Sequence, residues 1–181
     1  MNILSISEKE KGYLFGLFEG DGYKLYDERS RHYQVEFYLN SERDKKIIDF
    51  VAGALNKLNL NPNQYQDKRF SCKRVRVYSK SLFELIKKDI DFKDRGTDFK
   101  IGFVSGLIDS EGYVNNKKGY IMVVNTNKRV LDECKKFLDS IGIHSSVSLR
   151  KPSIKDKSKS YRMYISVSFK RVAHLSIKAG L

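Results

Sequence analysis

Two stretches of the chain, GYLFGLFEGDGY at 12–23 and GFVSGLIDSEGY at 102–113, are built to one design. Laying residue 12 on residue 102 pairs Gly12, Gly16, Leu17, Gly22 and Tyr23 with Gly102, Gly106, Leu107, Gly112 and Tyr113. The same alignment puts Glu19 and Asp21 on Asp109 and Glu111. The likeness continues after a small slip in spacing. IIDFVAGALNKLNL at 47–60 echoes VLDECKKFLDSIGI at 130–143, both with apolar residues at helical intervals. RVYSKSLFEL at 76–85 lies over SVSFKRVAHL at 166–175, a strand running into a helix in each case. A duplication that runs from end to end predicts two halves of like architecture, 1–96 and 97–181.

The glycines say how the halves meet. Gly16 and Gly20, like Gly106 and Ser110, are four residues apart and lie on one side of a helix, where missing side chains let another backbone approach. Each glycine costs a helix up to about 1 kcal/mol against alanine, so their recurrence predicts that close contact between the two motif helices is required. Side by side as a pseudo-dyad, the helices end together, with Gly22 and Gly112 closing them as C-terminal glycines and Asp21 near Glu111. Acids at helix C-termini oppose the dipole and repel one another unless cations neutralise them. Paired carboxylates holding a divalent metal suit phosphodiester hydrolysis.

Between the helices the apolar period changes to two. In YQVEFYLN, Tyr33, Val35, Phe37 and Leu39 share one face, and Gln34, Glu36, Tyr38 and Asn40 the other. KRVRVYS puts Val75 and Val77 inward and Arg74, Arg76 and Tyr78 outward. YRMYISVSF puts Tyr161, Met163, Ile165, Val167 and Phe169 inward and Arg162, Tyr164 and Ser166 outward. DERSRH at 27–32 and RKPSIKDKSKS at 150–160, which begins with Arg150, read as basic hairpin loops. Lys and Arg outnumber Asp and Glu by 35 to 22, a net charge of +13, which predicts a polyanionic partner. The outward faces then meet nucleic acid through Gln34, Glu36, Tyr38, Arg74, Arg76, Tyr78, Arg150, Arg162, Tyr164 and Ser166, phosphates supplying affinity and base edges selectivity.

At the motif residues the resemblance becomes specific: LFGLFEGDG at 14–22 and VSGLIDSEG at 104–112 resemble the two signature motifs of monomeric LAGLIDADG homing endonucleases. The resemblance covers nearly the whole chain. It implies an α+β fold of two αββαββα halves, with the motif helices at the centre and saddle-shaped antiparallel sheets straddling a long DNA site. It carries the family's metal-binding catalytic acids, at the eighth place of each motif, onto Asp21 and Glu111, with Gly20 and Ser110 beside them in the metal site. Glu19 and Asp109, at the sixth place, are structural by the same carry-over. The first motif departs from the family pattern in Phe15, Phe18 and Gly20. The family's water-orienting polar residue points to Lys24, three residues past Asp21, and to Asn125 in VVNTNKRVL. Their pseudo-symmetric counterparts are Val114 and a place near Leu39.

The expected activity is site-specific double-strand DNA cleavage of the intron-encoded kind, by a monomer that needs no protein partner. It uses Mg²⁺, with Mn²⁺ or Ca²⁺ able to occupy the same site. Two rivals stay open: an RNA maturase that assists intron splicing, and a non-catalytic DNA-binding regulator. Cys72 and Cys134 stand alone, without zinc-ligand spacing, and are read as free thiols; His32, His144 and His174 are scattered and receive no role. No apolar run approaches a membrane span and the start lacks the apolar centre of a signal peptide, so a cytoplasmic, free-standing enzyme with no membrane contact is expected.

Overall fold

The computed structural model describes residues 6–67, 71–87, 91–151 and 158–166. The first half runs α1 (Glu8–Asp21), β1 (Gly22–Asp27), β2 (His32–Asn40), α2 (Lys45–Lys57), β3 (Asn63–Asp67), β4 (Cys72–Tyr78) and α3 (Lys80–Lys87). The second repeats it with α4 (Thr97–Glu111), β5 (Gly112–Asn115), β6 (Tyr120–Asn125), α5 (Lys128–Ser140), β7 (Ser145–Leu149) and β8 (Tyr161–Ser166). Each half holds a four-stranded antiparallel sheet, in the orders β1-β2-β4-β3 and β5-β6-β8-β7. The described residues thus form a duplicated α+β fold, an αββαββα first half followed by a second that repeats it as αββαββ. The strand-into-helix expected over 166–175, with Val167 and Phe169, and the middle of the 150–160 loop lie outside the described residues.

The central strands follow their alternation. Val35, Phe37 and Leu39 of β2 and Val75 and Val77 of β4 are buried against α1, α2 and α3. Ile121 and Val123 of β6 and Met163 and Ile165 of β8 are buried against α4 and α5. The helices cover one face of each sheet and leave the other open. Cys134 is buried in the second core, where desolvation pushes its thiol up; both cysteines are free. Among the described residues, no helix is long and apolar enough to cross a membrane.

The halves join through α1 and α4, which run parallel. Gly12 faces the backbone of Phe99 and Phe103, Gly16 that of Phe103 and Leu107, and Gly20 the side chains of Ser110 and Glu111. The contact is reciprocal: Gly102 faces Lys9 and Tyr13, and Gly106 faces Tyr13 and Leu17. A Cβ on Gly16 would lie 2.8 Å from the Leu107 nitrogen and closer still to the Phe103 carbonyl oxygen. Rigid backbone stands there, so nothing could yield to the added carbon. α1 is set in place by a capping box, in which Ser7 Oγ accepts from Glu10 N (3.1 Å) and Glu10 Oε2 accepts from Ser7 N (2.8 Å).

Gly22 and Gly112 close the helices, but not as left-handed caps. Their φ values are −91° and −87°, extended backbone open to any residue. The reason for glycine there is space, because a Cβ on Gly22 would strike the Phe18 carbonyl and ring, and one on Gly112 the Ile108 carbonyl.

The pseudo-symmetry is broken on the seam between the helices. Phe15 of α1 crosses into the core of the second half, 5.7 Å from the Phe99 ring. Its counterpart on α4, Ser105, turns its hydroxyl back to the Ile101 carbonyl (2.8 Å) and borders a recess of about 220 Å³ lined by Tyr13, Phe50 and Gly102.

Gly16→Ala or Gly106→Ala should lower stability by several kcal/mol, because a Cβ there forces the helices apart. Gly53→Ala, in the middle of α2 with nothing within 4 Å of an added Cβ, should raise it by about 0.5–1 kcal/mol. Urea titration of the three variants checks both signs.

Candidate acid pair and nucleic-acid interface

Parallel packing brings the C-terminal ends of α1 and α4 to one place. Neither helix has a basic residue in its last turn, so two sets of orphan carbonyls and the acids of both motifs share that end without an intrahelical cation. The four motif acids then separate by position. Asp109 is buried and accepts from the Tyr13 hydroxyl of the other half (2.7 Å); burial and the Asp109 carboxylate push that phenol up. Glu19 accepts from Asn127 Nδ2, also across the halves (3.1 Å). Residues two apart point to opposite sides of a helix, so Asp21 and Glu111 are turned away from those bonds.

Glu111 lies against the other helix, since a Cβ on Gly20 would be 2.8 Å from its Cγ. That burial holds its carboxyl above the ordinary carboxylate range. Asp21 lies close enough to Cys72 for its charge to add, after burial and alongside Asp67, to the upward push on that thiol. Ser110 spends its hydroxyl on the Gly106 and Leu107 carbonyls (both 3.1 Å), so what it offers a metal is its backbone oxygen, as does Gly20. Carboxylate and carbonyl oxygens are hard donors of the kind Mg²⁺, Mn²⁺ and Ca²⁺ take. The donor set fits a divalent cation.

Two of the expected polar partners stand on the helix side of their sheets. Lys24 is the partner of Val35 in the β1–β2 register and so points to the helix side of the sheet, its ammonium 5.4 Å from the Phe83 ring centroid. Asn125 shares its face with Ile121 and Val123 and is buried, its Oδ1 accepting from Asn127 N (2.7 Å) where β6 turns into α5. In both cases strand parity decides.

The open faces are assembled by register. On the first sheet Tyr23, Glu36, Arg76 and Asn63 form one row, and Tyr38, Arg74 and Tyr65 the next. On the second, Tyr113, Met122, Tyr164 and Ser146 form the corresponding row, and Val124, Arg162 and Ser148 the next. Gln34 pairs with Tyr78, and Ser166 with Tyr120, at the far end of each sheet. Glu36, expected as an outward contact, is only 1% exposed: it is ion-paired with Arg76 and accepts from the Tyr38 hydroxyl (2.6 Å). Arg74 pairs with Asp67 (3.4 Å), whereas the buried Nε of its counterpart Arg162 has no hydrogen-bond partner among the described residues. Arg150 sits at the base of the β7–β8 loop, its Nη1 3.4 Å from Ser160 Oγ. Seven of the eleven tyrosines stand on these faces; Tyr78 is more than 40% exposed, and so are three that strand alternation did not mark, Tyr23, Tyr65 and Tyr113. Those three belong to β1, β3 and β5, edge strands whose exposed sides give no apolar alternation; the repeat of Tyr23 as Tyr113 was the available signal.

The profile of the LAGLIDADG-like domain family matches residues 8–91 and again 98–175. The chain belongs to this family. MJ0398, an uncharacterized protein of Methanocaldococcus jannaschii, is 27% identical over 146 residues, 78% of this chain and 52% of that protein. The chain thus spans about half the length of the curated relatives it matches. The homing endonuclease I-DmoI, solved in complex with DNA and Ca, superposes with a TM-score of 0.75 over 97% of this chain and 91% of its own, at 22% identity. Further I-DmoI structures contain DNA and Mn, or, for a variant, target DNA in the presence of Mg. The N-terminal LAGLIDADG domain of DUF199/WhiA superposes with a TM-score of 0.64 over 99% of this chain and 89% of its own, at 15% identity. At these identities the likeness is one of fold: a duplicated LAGLIDADG architecture whose motif acids stand where both sheets begin.

The raised pKa of Glu111 gives a signed prediction for the metal-free protein. The folded state holds the Glu111 proton more tightly than the unfolded chain, so stability falls as pH rises from the unfolded value through the folded one. Glu111→Gln, neutral throughout, should match wild type in melting temperature near pH 4 and exceed it increasingly towards neutrality. Thermal melts across that range in chelator check it, and a divalent cation should erase the difference by stabilising wild type.

Proposed function

We propose that this chain is a site-specific double-strand DNA endonuclease of the homing type, intron-encoded and active as a monomer with Mg²⁺. One observation carries the reading: two carboxylates, one from each half, close two parallel helices at the point where both open sheets begin. That DNA-bound neighbours share the fold, and that their structures include divalent cations, supports it.

Asp21 and Glu111 would hold the cation, with the Gly20 and Ser110 carbonyls completing the oxygen set. The cation, when bound, would activate the attacking water and stabilise the leaving oxygen of the phosphodiester. The protein's own residues do the rest. The tyrosines and arginines of the open faces hold the duplex across the acid pair, and the net +13 draws it in. Asp109 and Glu19, tied to Tyr13 and Asn127, keep the helix ends from separating when the phosphates approach.

Asp21→Asn or Glu111→Gln should abolish scission of the DNA formed by joining the sequences that flank the encoding gene. Binding to the same duplex in chelator should be kept or strengthened, because negative charge near the phosphates is lost. Parallel cleavage and binding assays with Mg²⁺ decide. Normal cutting by both variants sinks the catalytic reading; a wild-type protein that binds but never cuts is a regulator, and one that binds intron RNA in preference to any duplex is a maturase.

A second measurement concerns charge. Duplex affinity should fall steeply with salt, and Arg162→Ala, which removes a guanidinium whose buried Nε has no hydrogen-bond partner among the described residues, should flatten the slope by about one unit. A salt-independent affinity would contradict a phosphate-binding surface.

A further inference from the structure

The same place on the two open faces is built from opposite chemistry. On the first sheet it holds Glu36 opposite Arg76; on the second it holds Met122 opposite Tyr164. The rows beneath are alike, Phe37 opposite Val75 and Val123 opposite Met163, all buried, so the fold asks the same thing of both positions. The apolar pair in the second half shows that the architecture does not need an ion pair there. Burying a carboxylate under a guanidinium is seldom worth more to stability than an apolar pair of similar size. The Glu36–Arg76 pair therefore calls for another reason.

Its geometry supplies one. Glu36 takes Arg76 Nε, Tyr38 donates to the other carboxylate oxygen, Arg76 Nη1 reaches the Tyr78 hydroxyl (3.3 Å), and the guanidinium lies 4.9 Å from the Tyr65 ring centroid. The arginine is held on its Nε edge and on one flat side. Among the described residues its Nη2 has no hydrogen-bond partner, and the side chain keeps 22% of its surface exposed. A guanidinium so fixed loses little rotamer freedom on binding, and its end-on fork matches the O6 and N7 acceptors of guanine in a major groove. Met122 is half-buried beside Tyr113 and Tyr164; it offers no hydrogen bond and instead a flexible apolar surface of the kind that packs on the thymine methyl group.

We propose that the two halves read unlike bases: Arg76, positioned by Glu36 over Tyr65, reads a guanine under the first sheet, and Met122 packs on a thymine methyl at the corresponding place under the second. This rests on the duplex-binding reading above, and Glu36 is a positioning residue within it.

Selection of wild-type protein on a pool of fully randomised duplexes in chelator, followed by single-pair substitutions of the enriched sequence, tests it. One G·C pair in one half should be required, its replacement weakening wild type roughly ten- to a hundredfold. Arg76→Ala and Arg76→Lys should lose that preference and no other, with Arg76→Lys keeping the salt slope. Glu36→Gln should lower preference at the same pair alone, at an unchanged melting temperature. In the other half, deoxyuridine in place of one thymine should weaken wild type by about fourfold, the worth of a buried methyl, and leave Met122→Ala unaffected. Should Glu36→Gln unfold, Arg76→Lys still decides. Full guanine preference in Arg76→Ala, or thymine read without regard to its methyl, overturns the inference while duplex binding stands; failure to enrich any duplex overturns the proposed function itself.

Discussion

Two helices that touch backbone to backbone are the constraint on which everything else in this protein depends. Side chains normally keep helix axes 8–10 Å apart; at Gly12, Gly16, Gly102 and Gly106 there are none, and peptide groups of α1 and α4 meet directly. Close, parallel approach fixes where the helices end relative to each other. Because each sheet starts at the residue after its helix, the same contact sets the two open faces on either side of the acid pair. The loss of helix propensity at four glycines is the cost of that precision, offset by dispersion contacts along the whole seam.

Electrostatics divides the residues of the site into those already satisfied and those still seeking a partner. The sixth-place acids are bonded across the halves, Asp109 to Tyr13 and Glu19 to Asn127. Arg74 and Arg76 carry their own carboxylates with them, so a protein of net charge +13 presents locally neutral pairs on part of its open surface. Paired arginines gain orientation and give up long-range attraction, which leaves steering to charges elsewhere on the chain. Glu111 is the opposite case. It is partly desolvated with no cation offsetting that cost in its pKa, the condition under which a bound divalent ion gains most.

How much of this could be read from the residues depended on how many faces of each element are buried. Helices 45–57 and 128–140 and the central strands each have one wet and one dry side, and their periodicity shows it. The edge strands Asn63–Asp67 and Gly22–Asp27 are wet on nearly every side; their pattern is that of a loop, and Tyr65 and Tyr23 were hidden with them. Asp21 and Glu111 were legible because the repeat marks them twice. The side on which Lys24 and Asn125 stand was not legible from spacing along the chain, since a strand reverses its side at every residue and one step of parity separates the open face from the core. Gly22 and Gly112 were legible as helix ends, though for a steric reason and not a conformational one.

The exchange of Phe15 for Ser105 turns a duplicated molecule into an obligate pair of unlike parts. Two copies of the second half would each lack the ring that fills their core from across the seam, a void of the kind that costs about 3–5 kcal/mol per site. Two copies of the first half would each drive a phenylalanine into a neighbour whose own recess is bordered by Tyr13 and Phe50 and shaped around a serine. Self-association of either half is thus penalised while cross-association is not. Partner choice between the halves is written into one buried side chain.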